Sequence, residues 1–230
     1  MVIAGLQKLS LVDFPGHLCS VVFVQGCNFR CGYCQNPDLI PSKQGTDWSE
    51  KDIFDYLSRR KSEIEGVVVT GGEPLIHDDL PAFVKEIKES GFKAKADTNG
   101  SDPTRIERLL KEEAIDYISL DIKTSFPKYS LVTDISNIEE LISKSIRVIM
   151  GSGIPYEFRT TCAPGIVDEK DFAEIGKVVK GAERYCLQQF RPQITLDPAF
   201  QKVTPYSKET FAKFKDILTG FVKHVEIRGL

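Results

Sequence analysis

The chain has 230 residues, 41% hydrophobic and 27% charged, the composition of a globular protein long enough to bury a full core. A formal net charge of −3 argues against nonspecific binding to nucleic acid or anionic membrane, which needs a basic surplus or patch. The N-terminus, "MVIAGLQKLSLVDFPG", has no basic stretch followed by a continuous apolar run and does not read as a signal peptide. No apolar run approaches the roughly 18 residues of a membrane span.

The predicted elements alternate. "LCSVVFVQG" (18–26) is a valine-rich run ended by Gly26 and reads as a buried strand. "SEKDIFDYLSRRKSEI" (49–64) reads as a helix, with Ser49 as N-cap, Asp52 at N3 and an apolar stripe of Ile53, Phe54 and Leu57. "GVVVTGG" (66–72) is a second strand. "DDLPAFVKEIKESG" (78–91) is a helix with Leu80, Phe83, Val84 and Ile87 on one face and Gly91 as its stop. "FKAKADTNG" (92–100) is a third strand, and "DPTRIERLLKEEA" (102–114) a helix with Asp102 as N-cap and Pro103 at N1.

"IDYISLDIK" (115–123) is a fourth strand and "SNIEELISKSIRVIMGSG" (136–153) a helix. "YEFRTTCAPG" (156–165) is a fifth strand and "DEKDFAEIGKVVKG" (168–181) a helix. "RYCLQQFRP" (184–192) is a sixth strand. "SKETFAKFKDILTG" (207–220) is a last helix, followed by a short strand-like "HVEIRGL". Six strand–helix units indicate a parallel sheet covered by helices. Eight would close a barrel. Six predict a partial, open βα barrel of TIM type, in one domain spanning 1–230 because no linker or composition break divides the chain. Residues 191–206, "RPQITLDPAFQKVTPY", are the longest stretch without periodicity, a length often found in lids and interfaces.

In parallel α/β folds ligands bind at the carboxyl ends of the strands. Those ends here read "QGCNFRCGYC", "TGGEP", "DTNG", "DIK", "RTT" and "LQQFRP", and together they predict one site. Of six cysteines, Cys27, Cys31 and Cys34 are clustered as C-x3-C-x2-C. Cys19, Cys162 and Cys186 lie in predicted strands and read as buried thiols. This usage fits a reducing cytoplasm with one metal site better than a secreted disulfide scaffold. Zinc usually takes four ligands from two spaced pairs, and a fourth here could come from His17 or Cys19. An iron–sulfur cluster prefers thiolates, and three would leave one iron open; the spacing alone does not decide between the two. In "TGGEP", Gly71 and Gly72 would permit close backbone approach and Glu73 suits an amine, although an ordinary turn has the same composition. Asp97 and Asp121 could hold a cation or act as an acid–base pair, or either could form a structural ion pair with Lys123.

A C-x3-C-x2-C motif after the first strand, with Tyr33 just before the last cysteine, followed by "TGGEP" after the second, resembles the radical S-adenosylmethionine superfamily. With "GLQKLSLVDFPGHLCSVVFVQGCNFRCGYCQNPDLIP", "DTNG", "DIK", "YEFRTT" and "LQQFRP", nearly the whole chain resembles the activating proteins of anaerobic ribonucleoside-triphosphate reductase. The single-cluster pyruvate formate-lyase activating enzymes are the neighbouring branch. The resemblance implies a [4Fe-4S] cluster on Cys27, Cys31 and Cys34, with S-adenosylmethionine chelated at the open iron. It implies that Gly71, Gly72 and Glu73 receive the methionine amino end. Asp97, Thr98 and Asp121 match positions that hold a monovalent cation in pyruvate formate-lyase activators. The resemblance further implies that Asn99 belongs to the cofactor site, that Lys123 and Arg159 face the cofactor and its carboxylate, and that Tyr33 lines the adenine side.

The implied reaction is reductive cleavage to methionine and a 5′-deoxyadenosyl radical, which takes a hydrogen from a glycine of a partner enzyme. A ferredoxin- or flavodoxin-type protein would supply the electron, and neither membrane nor nucleic acid is expected as a partner. Alternatives are another glycyl-radical partner of the pyruvate formate-lyase kind, a small-molecule or RNA substrate, and, in a different class, an iron–sulfur electron carrier. Two departures from the pattern stand out. The chain lacks the extra cysteine-rich motifs of two-cluster activators. The strand-six histidine of pyruvate formate-lyase activators is replaced by the Gln188, Gln189, Phe190 region.

Overall fold

A computed structural model describes residues 1–41 and 48–230. Its strands are β1 (Ile3–Ser10), β2 (Cys19–Val24), β3 (Gly66–Gly71), β4 (Lys93–Thr98), β5 (Tyr117–Asp121), β6 (Tyr156–Cys162), β7 (Arg184–Gln189) and β8 (His224–Arg228). Its α-helices are α1 (Glu50–Arg59), α2 (Leu80–Glu89), α3 (Pro103–Lys111), α4 (Ile138–Met150), α5 (Glu169–Val178) and α6 (Lys208–Thr219). The sheet runs in the order β1 through β8. The six predicted strands are β2 to β7, and the open βα architecture is as expected. β8 extends the parallel series, pairing with β7, and β1 is antiparallel to β2. β1 was not predicted. Its pairing is broken between Ile3 and Gly5 and again between Gln7 and Ser10, so its side chains lack the strict alternation by which a strand is recognised.

By contacts the chain divides into two compact units. One comprises Met1–Asn28, Asp38–Thr98 and Thr104–Ile118. Here β2, β3 and β4 are parallel neighbours in register, from Cys19 opposite Gly66 and from Gly66 opposite Lys93. The valines of β2 and β3 are buried on both faces, as a strand covered on both sides requires. α1 begins at a full capping box, Ser49 accepting from the Asp52 amide and the Asp52 carboxylate accepting from Ser49. It buries Ile53 and Leu57, and α2 buries Leu80, Phe83, Val84 and Ile87. Phe14, Cys19, Val21, Val68 and Tyr117 pack as one apolar cluster.

The other unit comprises Phe29–Pro37, Asn99–Pro103 and Ser119–Leu230. β6, β7 and β8 are parallel. α5 starts at a second capping box, Asp168 with Asp171. α5 and α6 join through Phe172 and Phe214, whose ring centroids lie 4.6 Å apart. Glu157, fully buried, accepts two hydrogen bonds from the Arg228 guanidinium at 3.0 and 2.8 Å and a third from Ser119 at 2.9 Å. The paired, bidentate geometry is what makes a buried carboxylate tolerable, and it fastens β8 to β6.

Candidate active site

Cys27 follows β2 across Gln25 and Gly26, and this strand end is held by backbone. The Gly26 amide donates to the Leu39 carbonyl at 2.7 Å and the Cys27 amide to Ile40 at 3.1 Å. The Gly72 and Glu73 amides donate to Val24 at 2.9 Å and Gly26 at 2.7 Å. The two glycines of "TGGEP" are required by this approach. A Cβ on Gly72 would stand 2.0 Å from the Gly26 carbonyl oxygen. One on Gly71, whose φ is +118°, would stand 2.5 Å from the Val24 nitrogen. His77, unremarked in the sequence, adds a side-chain brace, its Nε2–H donating to the Gln25 carbonyl at 2.8 Å. Glu73 is 1% exposed. Its carboxylate accepts from the Leu75 amide at 3.1 Å and from the Thr98 hydroxyl at 2.7 Å.

Cys31 and Cys34 belong to the second unit, where their loop is clasped from two sides. The Arg30 amide donates to Val132 at 2.8 Å, and the Cys34 amide closes a turn onto the Cys31 carbonyl at 2.9 Å. The aperiodic 191–206 stretch supplies the other side. Asp197 donates its amide to Gly32 at 2.8 Å, Gln35 donates to the Arg191 carbonyl at 3.0 Å, and the Phe200 ring packs edge-on to Tyr33 with centroids 6.1 Å apart. A Cβ on Gly32 would meet Phe200 at 2.8 Å. Phe200 sits on a short 3-10 helix, Pro198–Lys202. Tyr33 is 4% exposed, and among the described residues its hydroxyl has no hydrogen-bond partner. Burial, then the neighbouring Cys31, raises its pKa well above the ordinary tyrosine range, so it stays protonated.

The remaining predicted residues fall into two polar groups. In the first unit Asp97 pairs with Lys95, whose Nζ lies 2.6 Å from Oδ1. Thr98 is bound to Glu73 as above. In the second unit Asp121 accepts from the Arg159 Nε at 2.6 Å and from the Lys123 Nζ at 2.9 Å. Burial opposes its charge, but Arg159 and Lys123 outweigh that and hold the carboxyl well below the usual range. Burial likewise opposes the Lys123 charge, and Asp121, then Cys31, raise its basicity above the usual lysine value. The Asn99 side chain accepts from the Ser101 amide at 3.0 Å and shapes its own turn. The Gln189 side chain is committed to the backbone of Tyr206 and Phe190.

The Radical SAM superfamily pattern matches residues 21–176. The chain belongs to the radical SAM superfamily. Among curated relatives, a Methanocaldococcus jannaschii protein named, provisionally, as a glycyl-radical enzyme activating enzyme is 33% identical over 99% of this chain and 96% of its own length. A pyruvate formate-lyase-activating enzyme of Streptococcus mutans is 33% identical over 76% of this chain and 70% of its own. Of solved structures, Streptococcus suis SuiB bound to S-adenosylmethionine shares the fold at a TM-score of 0.70 and 16% identity over 91% of this chain. The chain spans 50% of that structure's length. Radical SAM membership implies a [4Fe-4S] cluster and S-adenosylmethionine as cofactors, and the chain is an enzyme related to the glycyl-radical activases.

The residues present fit those two groups. None of the six cysteines is in a disulfide, and the three of the motif are the donor type iron–sulfur clusters take. Among the described residues no three His, Cys, Asp or Glu side chains converge to hold a single metal ion. A four-iron cubane, with one thiolate per iron, does not ask its cysteines to converge on one atom. The Tyr33 hydroxyl, buried beside the motif, is a polar atom of the kind that burial leaves costly without a partner. The monovalent cation is different. Each carboxylate proposed to hold it already faces a protein cation, so the donor set does not fit one. Among the described residues no helix is long and apolar enough to cross a membrane.

Proposed function

We propose that the chain activates a glycyl-radical enzyme. The observation that carries this is the C-x3-C-x2-C loop, anchored at Cys27 by four backbone hydrogen bonds around Gly26 and clasped at Gly32 by Asp197 and Phe200, in a chain alike over 99% of its length to a relative named for that activity. Cys27, Cys31 and Cys34 would hold the cluster. When bound, the cluster and S-adenosylmethionine supply reductive cleavage to methionine and a 5′-deoxyadenosyl radical, strong enough to take a glycine hydrogen. The protein's own part is position and exclusion of water. Gly71, Gly72 and Glu73 would present backbone and carboxylate to the methionine amino group. Arg159 and Lys123, which flank the Asp121 carboxylate, would face the methionine carboxylate. Asp97, Thr98 and Asn99 would shape the cofactor's surroundings, and Tyr33 would keep water from the adenine side. A cytoplasmic location and a ferredoxin or flavodoxin as electron donor follow from the same reading.

Two partners fit. The N-terminal block and "LQQFRP" favour anaerobic ribonucleotide reductase. The relatives named as pyruvate formate-lyase-activating enzymes, including one from Clostridium pasteurianum covering 94% of this chain, favour a formate-lyase-like partner equally. The test is electron paramagnetic resonance on the reduced, reconstituted protein mixed with each purified candidate. A glycyl doublet with one identifies it. Cleavage of S-adenosylmethionine with no doublet from either would reject both partners and turn the search to a small molecule or RNA.

A further inference from the structure

The cation carried over from pyruvate formate-lyase activators does not fit Asp97, and the reason is on β4. Strand side chains alternate, so Lys95 and Asp97 share a face. The Lys95 side chain is fully buried and that of Asp97 nearly so, with Nζ 2.6 Å from Asp97 Oδ1. The same ammonium donates to the Asp13 carbonyl at 2.6 Å and lies 5.6 Å from the centre of the Tyr117 ring. Buried charge persists when paired and hydrogen-bonded, and this ammonium has a carboxylate, a carbonyl and an aromatic face. A free monovalent cation at the same carboxylate would meet the Lys95 charge at close range, where like charges repel. Asp121 has its own protein cations, Arg159 and Lys123.

We propose that Lys95 is the resident cation of Asp97, a positioning residue that takes the place of a dissociable monovalent ion. This rests on the radical SAM reading of the site. A tethered cation does not dissociate, so binding and cleavage of S-adenosylmethionine become independent of which monovalent salt is present.

The experiment compares potassium, sodium and tetramethylammonium chloride at equal ionic strength, so that general screening is held constant. For the reconstituted wild type, the apparent affinity for S-adenosylmethionine and the cleavage rate should change by less than about twofold between salts. Lys95→Met should lose about tenfold in affinity in tetramethylammonium and recover much of it in potassium, a rescue that a merely structural lysine would not show. Lys95→Met with Asp97→Asn, which removes both charges, should show no potassium rescue. If Lys95→Met fails to fold, the wild-type salt comparison decides alone. Stimulation of the wild type by potassium or sodium of about tenfold or more over tetramethylammonium would overturn the proposal. The unloaded protein separates this from the functional reading. A melting temperature that rises in potassium but not in tetramethylammonium would reject the resident lysine even if no cleavage occurs in any salt. An unchanged melting temperature would support it.

Discussion

The six cysteines fall into two groups that share a side chain and little else. Cys19, Cys162 and Cys186 sit in β2, β6 and β7 with no exposed surface. Burial raises all three thiols, Cys19 to about 11 and Cys186 to about 12. They are small apolar fillers. Cys27, Cys31 and Cys34 sit on a loop whose backbone is braced from both sides, and Cys27 and Cys34 are partly exposed. The difference lies in where the backbone places each thiol. Backbone contacts of Gly26 and Gly72 brace Cys27, and the 191–206 stretch braces the turn of Cys31 and Cys34.

The sharpest break of that comparison is Cys31→Ala against Cys162→Ala. The first should take iron and 5′-deoxyadenosine formation below detection. The second should keep both and cost about 1 kcal/mol in urea unfolding, the scale of a small buried truncation. Next is Gly72→Ala, which drives a methyl into the Gly26 carbonyl. Nothing there can yield but backbone, so a loss of about 3 kcal/mol or more is expected, with iron loading falling alongside. Phe200→Ala should cost about 2 kcal/mol and release iron faster to a chelator, because it undoes the clasp on Gly32 without touching a thiol.

Milder chemistry sharpens the same contrast. In the unloaded native protein at pH 8, iodoacetamide followed by mass spectrometry should label Cys27 and Cys34 first, Cys31 more slowly at 8% exposure, and the strand thiols only on unfolding. The smallest effect is alkaline. A thiol whose folded value is raised stabilises the fold below its unfolded value of about 8.5, and that stabilisation is lost as pH rises toward the folded value. Stability should therefore decline from about pH 9 upward, less steeply in Cys19→Ala, whose thiol reaches about 11 in the fold.

What the sequence disclosed follows from how local each cause is. β2 to β7 and all six helices were legible because periodicity and caps are short-range, Ser49 with Asp52 being the clearest case. β1 was hidden by its bulges. The cysteine loop was legible as spacing. Its supports were not, because Phe200 lies 168 residues from Gly32 by subtraction, and the Cβ approach that makes Gly32 necessary exists only in space. The Asp121–Lys123 pair was among the alternatives, being two residues apart, whereas Arg159 reaches Asp121 from another strand. Lys95 was missed although it stands two residues before Asp97. A strand lysine reads as a solvent-facing charge, and nothing in "KAKAD" says which lysine is buried.

The central claim is that the three loop cysteines hold a cluster that cleaves S-adenosylmethionine. Its most direct test is anaerobic reconstitution, iron analysis and assay for 5′-deoxyadenosine under a strong reductant. The account predicts about four irons per chain and reductant-dependent 5′-deoxyadenosine. Anaerobically purified protein that holds zinc and no iron, or a full cluster that leaves S-adenosylmethionine intact, would contradict it.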